Sequence, residues 1–312
     1  MADVVIAEFM DQAAVDDLSA THDVLYDPAL VDDPERLARE VPPARGLIVR
    51  NRTQVRGPLL EAAGALRVVG RLGVGLDNID VAACEARGIR VAPATGANDT
   101  AVAEYVVCAV MMLLRGAFQA REAMEAGEWP RGRLMGREVA GARLGLIGFG
   151  ANARETALRA RALGMAVGAH DPHLAPGDPA WAEIGARQQT LDALIAESDA
   201  ISLHVPLTEA TRGLIDAARL GAMKPGAVLV NAARGSLVDE GALAAALRSG
   251  HLGGAALDVF ATEPLTAQAA EALKGAPNLV LTPHIAGVTA ESNVRVSRVT
   301  AQNVRDALEQ AS

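Results

Sequence analysis

Several short apolar runs in the second half of this chain lead into a side chain that could do chemistry. Met165 to Ala169 leads to Asp171, Ala200 to Leu203 to His204, and Ala227 to Val230 to Arg234. Gly254 to Leu257 leads to Asp258, and Leu279 to Leu281 to His284. If the runs are parallel strands, ligands bind beyond their carboxyl ends, where these residues gather. Arg234, Glu263 and His284 form a plausible catalytic set. Acid/base chemistry at an oxygen beside a carboxylate needs a cation to hold the carboxylate and polarise the oxygen. It also needs a group that exchanges a proton near neutral pH. Histidine does so, and a neighbouring carboxylate favours its charged form and fixes its tautomer. The planar fork of arginine suits a carboxylate better than the ammonium of lysine does. His204 is expected to shape a pocket rather than titrate.

The stretch Gly141 to Asp171 reads as a βαβ unit. Arg143 to Ile147 suits a buried strand, Gly148-Phe149-Gly150 a turn, and Ala153 to Leu163 a helix. Gly148 permits the tight turn, and Gly150 lets the backbone approach a pyrophosphate on the positive end of the helix. Ala153 stands where a third glycine would, a position that needs only a small side chain. Asp171, just past the second strand, is placed to bond a ribose 2′-hydroxyl. The alternative is a packing turn in another α/β protein. Strand, turn, helix, strand and acid in that order favour a dinucleotide.

The first half also alternates strand and helix. Strands are expected at Val4 to Ala7, Gly46 to Val49, Arg67 to Gly70 and Ile89 to Ala92, with helices at Val55 to Ala65 and Asn78 to Ala86. Asp32-Asp33-Pro34 caps another helix. The fold class is therefore α/β, with a parallel sheet in each half. Arg50-Asn51-Arg52, Leu72 to Gly75 and Pro93 to Asn98 fall at one sheet edge. Gly73-Val74-Gly75 offers main-chain N–H groups to an anion. It is otherwise a plain strand-to-helix turn, with Asp77-Asn78 capping the next helix. A long helix starts at Asp99-Thr100 and reads as apolar nearly all round, so burial between domains or against a second subunit is expected. Residues 116 to 140 look like a connecting arm.

At 312 residues, two domains are expected. A net charge of −9 argues against nucleic acid and anionic membranes as partners. No secretory signal or membrane-spanning run is visible, so a cytoplasmic protein is expected. Two cysteines, Cys84 and Cys108, give neither a disulfide framework nor a zinc site, and both read as small core residues. No metal is expected. His22, His170, His173 and His251 sit singly and are given no direct role.

The segments RLGVGLDNID (71–80), HVPLT (204–208), LVNAARGSLVDEGAL (229–243), ALDVFATEP (256–264) and TPHIAG (282–287), with the βαβ unit, resemble the D-isomer-specific 2-hydroxyacid dehydrogenase family over nearly the whole chain. The resemblance implies a flavodoxin-like substrate domain, 1–98 plus 284–312, and a Rossmann NAD-binding domain, 99–283. It implies a homodimer through the helix and arm at 100–140. Arg234 would bind the substrate carboxylate and carbonyl, with His284 as acid/base and Glu263 as its partner. Gly73, Val74 and Gly75 would hold the carboxylate. NAD would be met by Val74, Thr100, Gly148, Gly150, Ala151, Asn152, Asp171, Val205, Pro206, Ala232, Asp258 and Gly287. Ala151-Asn152-Ala153 departs from the family's usual basic or polar residue followed by isoleucine and glycine. Arg50 and Arg52 exceed what one carboxylate needs, and LIVRNRTQV (47–55) resembles the corresponding stretch of phosphoglycerate dehydrogenases, which suggests a substrate with a second anionic group, phosphate, sulfonate or carboxylate, 3-phosphoglycerate-like or sulfolactate-like. Arg131 and Arg133 of the arm would add charge from a partner subunit. Alternatively Arg50 and Arg52 are solvated or paired with local acids. The competing functions are a hydroxypyruvate or glyoxylate reductase and a non-catalytic, NAD-sensing corepressor relative.

Overall fold

The structure, a computed structural model, describes residues 2–310. Met1, Ala311 and Ser312, which fall within the domain limits drawn from the sequence, lie outside the described residues. The chain divides into two compact units, one running to Asn98 and resuming at Val288, the other spanning Asp99–Gly287.

In the first unit, β1 (Val4–Ile6), β2 (Val24–Tyr26), β3 (Gly46–Val49), β4 (Val68–Arg71) and β5 (Arg90–Pro93) form one parallel sheet of order β2-β1-β3-β4-β5. β1 and β3 are buried along their whole length, as continuous apolar runs covered on both faces must be. The helices between them are α1 (Gln12–Ser19), α2 (Pro34–Glu40), α3 (Gly57–Ala62) and α4 (Val81–Ala86). Asp33 caps α2 by accepting the Arg36 amide at 3.0 Å, with Pro34 at the first position. Two helices are shorter than their sequence suggests. Val55 stays extended because it bridges Ile79, so α3 starts at Gly57. α4 is capped by Asp80, not by Asp77 or Asn78. Asn78 is buried instead and donates to the Thr53 carbonyl at 2.7 Å.

The C-terminal helix Ala290–Gln310 packs Val296, Ala301 and Val304 into the core on one face of this sheet. Gly70 makes room for it. A Cβ there would stand 2.6 Å from Val304 Cγ2 and 3.0 Å from Thr300 Cγ2.

The second unit holds β6 (Arg143–Ile147), β7 (Ala166–His170), β8 (Arg187–Gln188), β9 (Ala200–Leu203), β10 (Val228–Asn231), β11 (Gly254–Leu257) and β12 (Leu279–Leu281). They form a parallel sheet of order β12-β11-β10-β9-β6-β7-β8. The expectation of two doubly wound α/β sheets is borne out. The strand order reverses at β6, which has β7 on one side and β9 on the other, and such a reversal opens a ligand crevice. The helices are α5 (Asp99–Arg115), α6 (Arg121–Glu125), α7 (Ala151–Ala162), α8 (Pro179–Ile184), α9 (Leu191–Glu197), α10 (Ala217–Ala222) and α11 (Glu240–Arg248).

α5 buries Val102, Val106, Val110 and Leu113 in a core shared with Ala153 and Ala157 of α7. Its other side leaves Glu104, Cys108 and Met111 exposed, so Cys108 is not the core residue expected. Cys84 is buried. The arm after α5 exposes large apolar groups: Phe118 is 71%, Trp129 74% and Met135 84% accessible. Among the described residues no helix is long and apolar enough to cross a membrane, and no cluster of potential metal ligands occurs.

Gly70→Ala is expected to destabilise the protein by about 1–3 kcal/mol, because the stiff Val304 side chain must shift. Gly64→Ala, with open space around it, serves as the control. Equal melting temperatures for the two variants would show that the helix does not press on the sheet at Gly70.

Candidate active site

Gly148 has φ +91° and donates its N–H to His170 O at 2.8 Å. A Cβ there would lie 2.7 Å from His204 O, so only glycine lets β6 and β9 run this close at their ends. Gly150 caps α7 in extended conformation, with open space where a side chain would stand. Ala151 is exposed, and the Asn152 Oδ1 is buried without a hydrogen-bond partner. Ala153 is fully buried, which explains why a small residue suffices there. Asp171 Oδ2 accepts the Phe149 amide at 2.9 Å and Oδ1 the His173 amide at 2.9 Å. These bonds hold the carboxylate at the glycine turn and leave each oxygen a second acceptor position. Thr100 lies in the first turn of α5, and Val205, Ala232 and Gly287 are half-buried while Pro206 is exposed. A glycine turn opening onto a helix N-terminus, an acid beside it and an orphaned amide oxygen fit the pyrophosphate and ribose of a dinucleotide.

Past β11 and β12, His284 Nδ1 meets Glu263 Oε2 at 2.8 Å. Glu263 Oε1 accepts the Phe260 amide at 2.9 Å. Burial pushes the Glu263 carboxyl up. The bonds from His284 and Phe260, with the charges of His284 and Arg234, outweigh it and hold the group below the ordinary carboxylate range. An ionised Glu263 accepts from Nδ1–H, which leaves Nε2 of His284 to exchange a proton. His284 has φ +56°, a left-handed backbone rare outside glycine. Its amide is bonded to Asp258 O at 2.8 Å.

Arg234 follows β10. Asn231, fully buried, donates to Arg234 O at 2.9 Å and accepts the Ala233 amide at 3.1 Å. Gly235 lies so close to the Phe260–Ala261 backbone that no Cβ would fit. That approach brings the loop bearing Arg234 against the loop bearing Glu263. His204 is different. Burial pushes it down to about 4, so it is neutral near pH 7, and Nε2 lies 2.9 Å from Ser202 Oγ.

Asp258 is the residue expected to meet a cofactor amide. Its carboxylate is fully buried and engaged by its own chain. Oδ1 accepts Thr282 Oγ1 at 2.6 Å and the Ile285 amide at 2.8 Å, and Oδ2 accepts the Ala286 amide at 2.7 Å. These bonds keep residues 284–286 with the second unit, so the chain leaves it after Gly287 and not at 284. Thr282 and, behind it, Tyr105 were not singled out in the sequence, because neither carries a charge.

In the first unit, the Gly73 amide is donated to Arg71 O at 2.8 Å, so it is not open to an anion. The Val74 and Gly75 amides have no bond among the described residues. Arg71, also not singled out, half-fills the space under Gly73 and donates to Leu72 O at 2.8 Å. Glu8, 4% exposed, accepts the amides of Arg50 at 2.9 Å and Thr53 at 3.0 Å, with Arg52 and Asn51 at 3.3 and 3.4 Å. Arg50 Nη2 bonds Asn293 Oδ1 at 2.6 Å and makes no ion pair among the described residues. Arg52 is not spare: it pairs with Asp32, both on the surface. In the arm, Arg133 pairs with Glu128 at 3.3 Å and Arg131 is exposed.

The sequence model of the D-isomer specific 2-hydroxyacid dehydrogenase NAD binding domain matches residues 107–286. The chain is 56% identical to the (S)-sulfolactate dehydrogenase of Chromohalobacter salexigens, over 99% of each protein. It is 41% identical to the D-3-phosphoglycerate dehydrogenase of Mycobacterium leprae, over 98% of this chain but 56% of that longer protein. The solved structure of the TT0316 protein from Thermus thermophilus superposes with a TM-score of 0.86 at 33% identity, covering 98% of this chain and 97% of that one. The chain belongs to the D-isomer-specific 2-hydroxyacid dehydrogenases and is an NAD-dependent oxidoreductase acting on the CH–OH group of a 2-hydroxy acid.

Proposed function

We propose that the substrate is a 2-hydroxy acid of D configuration with a second anionic group, and that 3-sulfolactate is the first candidate. The observation that carries this reading is the whole-length likeness to a protein named (S)-sulfolactate dehydrogenase. The stereochemical labels agree. Replacing the methyl of D-lactate by a sulfomethyl group raises that substituent above the carboxylate in priority, so the same spatial arrangement is named S. Arg50 supports the reading further: its guanidinium bonds neutral Asn293 and makes no ion pair among the described residues, with the Glu8 charge near it. Arg52 is the lesser candidate, because Asp32 already neutralises it.

When bound, NAD accepts the hydride from C2 of the hydroxy acid or returns it to the keto acid. His284 Nε2 takes the hydroxyl proton in oxidation and gives it back in reduction. Glu263, ionised through the neutral range, holds Nδ1 and compensates the imidazolium. Arg234 grips the carboxylate and polarises the oxygen. The Val74 and Gly75 amides are assigned to the same carboxylate, and Arg50 to the distal anion. Asp171 selects the 2′-hydroxyl of NAD, since a 2′-phosphate would meet its carboxylate.

The proposed assembly is a homodimer. A groove of about 920 Å³ runs along the outer side of α5, lined by Cys108, Met111, Met112 and Phe118. With Trp129 and Met135 of the arm it makes an apolar surface suited to a second copy across a two-fold axis. A cytoplasmic location fits NAD dependence and two free cysteines.

Three experiments test these points. Pyruvate, hydroxypyruvate, oxaloacetate, sulfopyruvate and phosphohydroxypyruvate are compared with NADH. A distal sulfonate or phosphate should raise kcat/KM. Arg50→Ala should then cost those substrates roughly 10-fold or more and pyruvate far less. Arg52→Ala should cost less than Arg50→Ala, and high salt should shrink the gain. Equal losses across the panel would rule out distal-anion recognition. For proton transfer, His284→Ala should lower kcat by about 10²- to 10⁴-fold. Glu263→Gln, which removes the ionised acceptor of Nδ1, should lower kcat with KM near wild type, and an unchanged kcat would refute the pairing. For assembly, light scattering at micromolar concentration should give twice the monomer mass, and a monomer would exclude the dimer.

A further inference from the structure

Tyr105 sits on α5, remote in sequence from every residue of the catalytic set. Its hydroxyl lies 2.6 Å from Thr282 Oγ1, and that oxygen lies 2.6 Å from Asp258 Oδ1. The direction of the bonds is settled by chemistry. Thr282 Oγ1 donates its one proton to Asp258 Oδ1, so Thr282 must accept from Tyr105. Burial pushes the Tyr105 phenol up, so it keeps the proton it donates. At the far end Asp258 receives the Ile285 and Ala286 amides, directly after His284. The same residue's carbonyl takes the His284 amide. One side chain on a long helix is thus tied through a hydroxyl and a buried carboxylate to the backbone that carries His284.

We propose that Tyr105 is a positioning residue, whose hydroxyl acts through Thr282 and Asp258 to hold His284 in its left-handed conformation against Glu263. A left-handed backbone at a histidine costs free energy and persists only where the surroundings over-determine it. Here the surroundings are the clamp on residues 284–286. Without the Tyr105 hydroxyl, Thr282 has a lone pair unmet and a freed rotor, and the carboxylate loses its fixed orientation. The amides at 285 and 286 then follow a less defined acceptor. The result at the site is a broader spread of His284 positions relative to the oxygen it serves, and proton transfer is sensitive to that spread. Tyr105 touches no reacting group in this account. The inference rests on the acid/base reading of His284.

The test uses the full-length enzyme with NADH and the best keto acid of the panel above. Tyr105→Phe removes one oxygen, Thr282→Val removes the relay, and Thr282→Ser keeps it. Tyr105→Phe should lower kcat roughly 3- to 10-fold with KM for both substrates within about 2-fold. Its solvent deuterium isotope effect on kcat should rise as proton transfer becomes slower. Thr282→Val should do at least as much, and Thr282→Ser should stay near wild type. Adding Tyr105→Phe to Thr282→Val should cost nothing further, because the two act through one chain. The proposal is overturned if Tyr105→Phe has wild-type kcat and isotope effect. It is overturned equally by additive losses in the double variant, or by a loss that tracks only the NADH-binding fraction of the sample. His284→Ala separates the two failures. Full activity there removes the acid/base reading and this inference with it. A dead His284→Ala beside a silent Tyr105→Phe removes this inference alone.

Discussion

Every strand of each sheet runs the same way, so every carboxyl end lies on the same edge. In the second unit the register makes the edge sharp: Asn231 stands beside Leu203 on one side and Leu257 on the other, and Leu257 beside Leu281. The residues just beyond these positions have nowhere else to go. His204, Arg234, Asp258 and His284 therefore come together although they lie far apart in the chain. Glycines at the edge then decide how near the loops come, as Gly148 does against His204 O and Gly235 against the Phe260 backbone.

Crowding polar groups at one edge has a cost that the structure meets locally. A buried carboxylate without partners is expensive, and Asp258 answers with two backbone amides and a hydroxyl. Buried Asn231 uses both ends of its amide on the Arg234 loop. Glu8 does the same for the loop at 50–53 in the first unit. In each case a buried polar side chain organises a loop that bears an arginine or His284. The side chains that face solvent at the site are held by ones that do not.

Much of this was legible in the sequence because its signals are local. An apolar run followed by a polar residue marks a strand end, and the order strand, glycine turn, helix, strand, acid marks the dinucleotide turn. β9, β11 and β12 fall on their expected residues, and Glu263 and His284 lie within hydrogen-bonding distance. What the sequence did not carry depends on partners far along the chain. β2 is a half-buried edge strand without a strong apolar run. The Val55–Ile79 bridge shortens α3, and no local pattern announces it. The Gly73 amide looked open, but the turn bends it back onto Arg71 O. Arg52 looked spare until Asp32 met it. Asp258 looked like a ligand group, and its depth and its bonds to 282, 285 and 286 appear only when β11 and β12 lie side by side. Tyr105 gave no signal at all, since a tyrosine on an apolar helix reads as packing.

The fixed polarity of the Tyr105–Thr282–Asp258 chain has a consequence for where protons travel. Each hydroxyl points toward the carboxylate, so relaying a proton along the chain would end with a tyrosinate on α5. Burial makes that anion costly. The chain is a strut and not a wire. Glu263, held ionised, and the neutral His204 offer no store for a proton near pH 7 either. The side chain of His284 is 39% accessible. On the proposed acid/base reading, a proton held by His284 therefore exchanges with solvent across the open side of the imidazole.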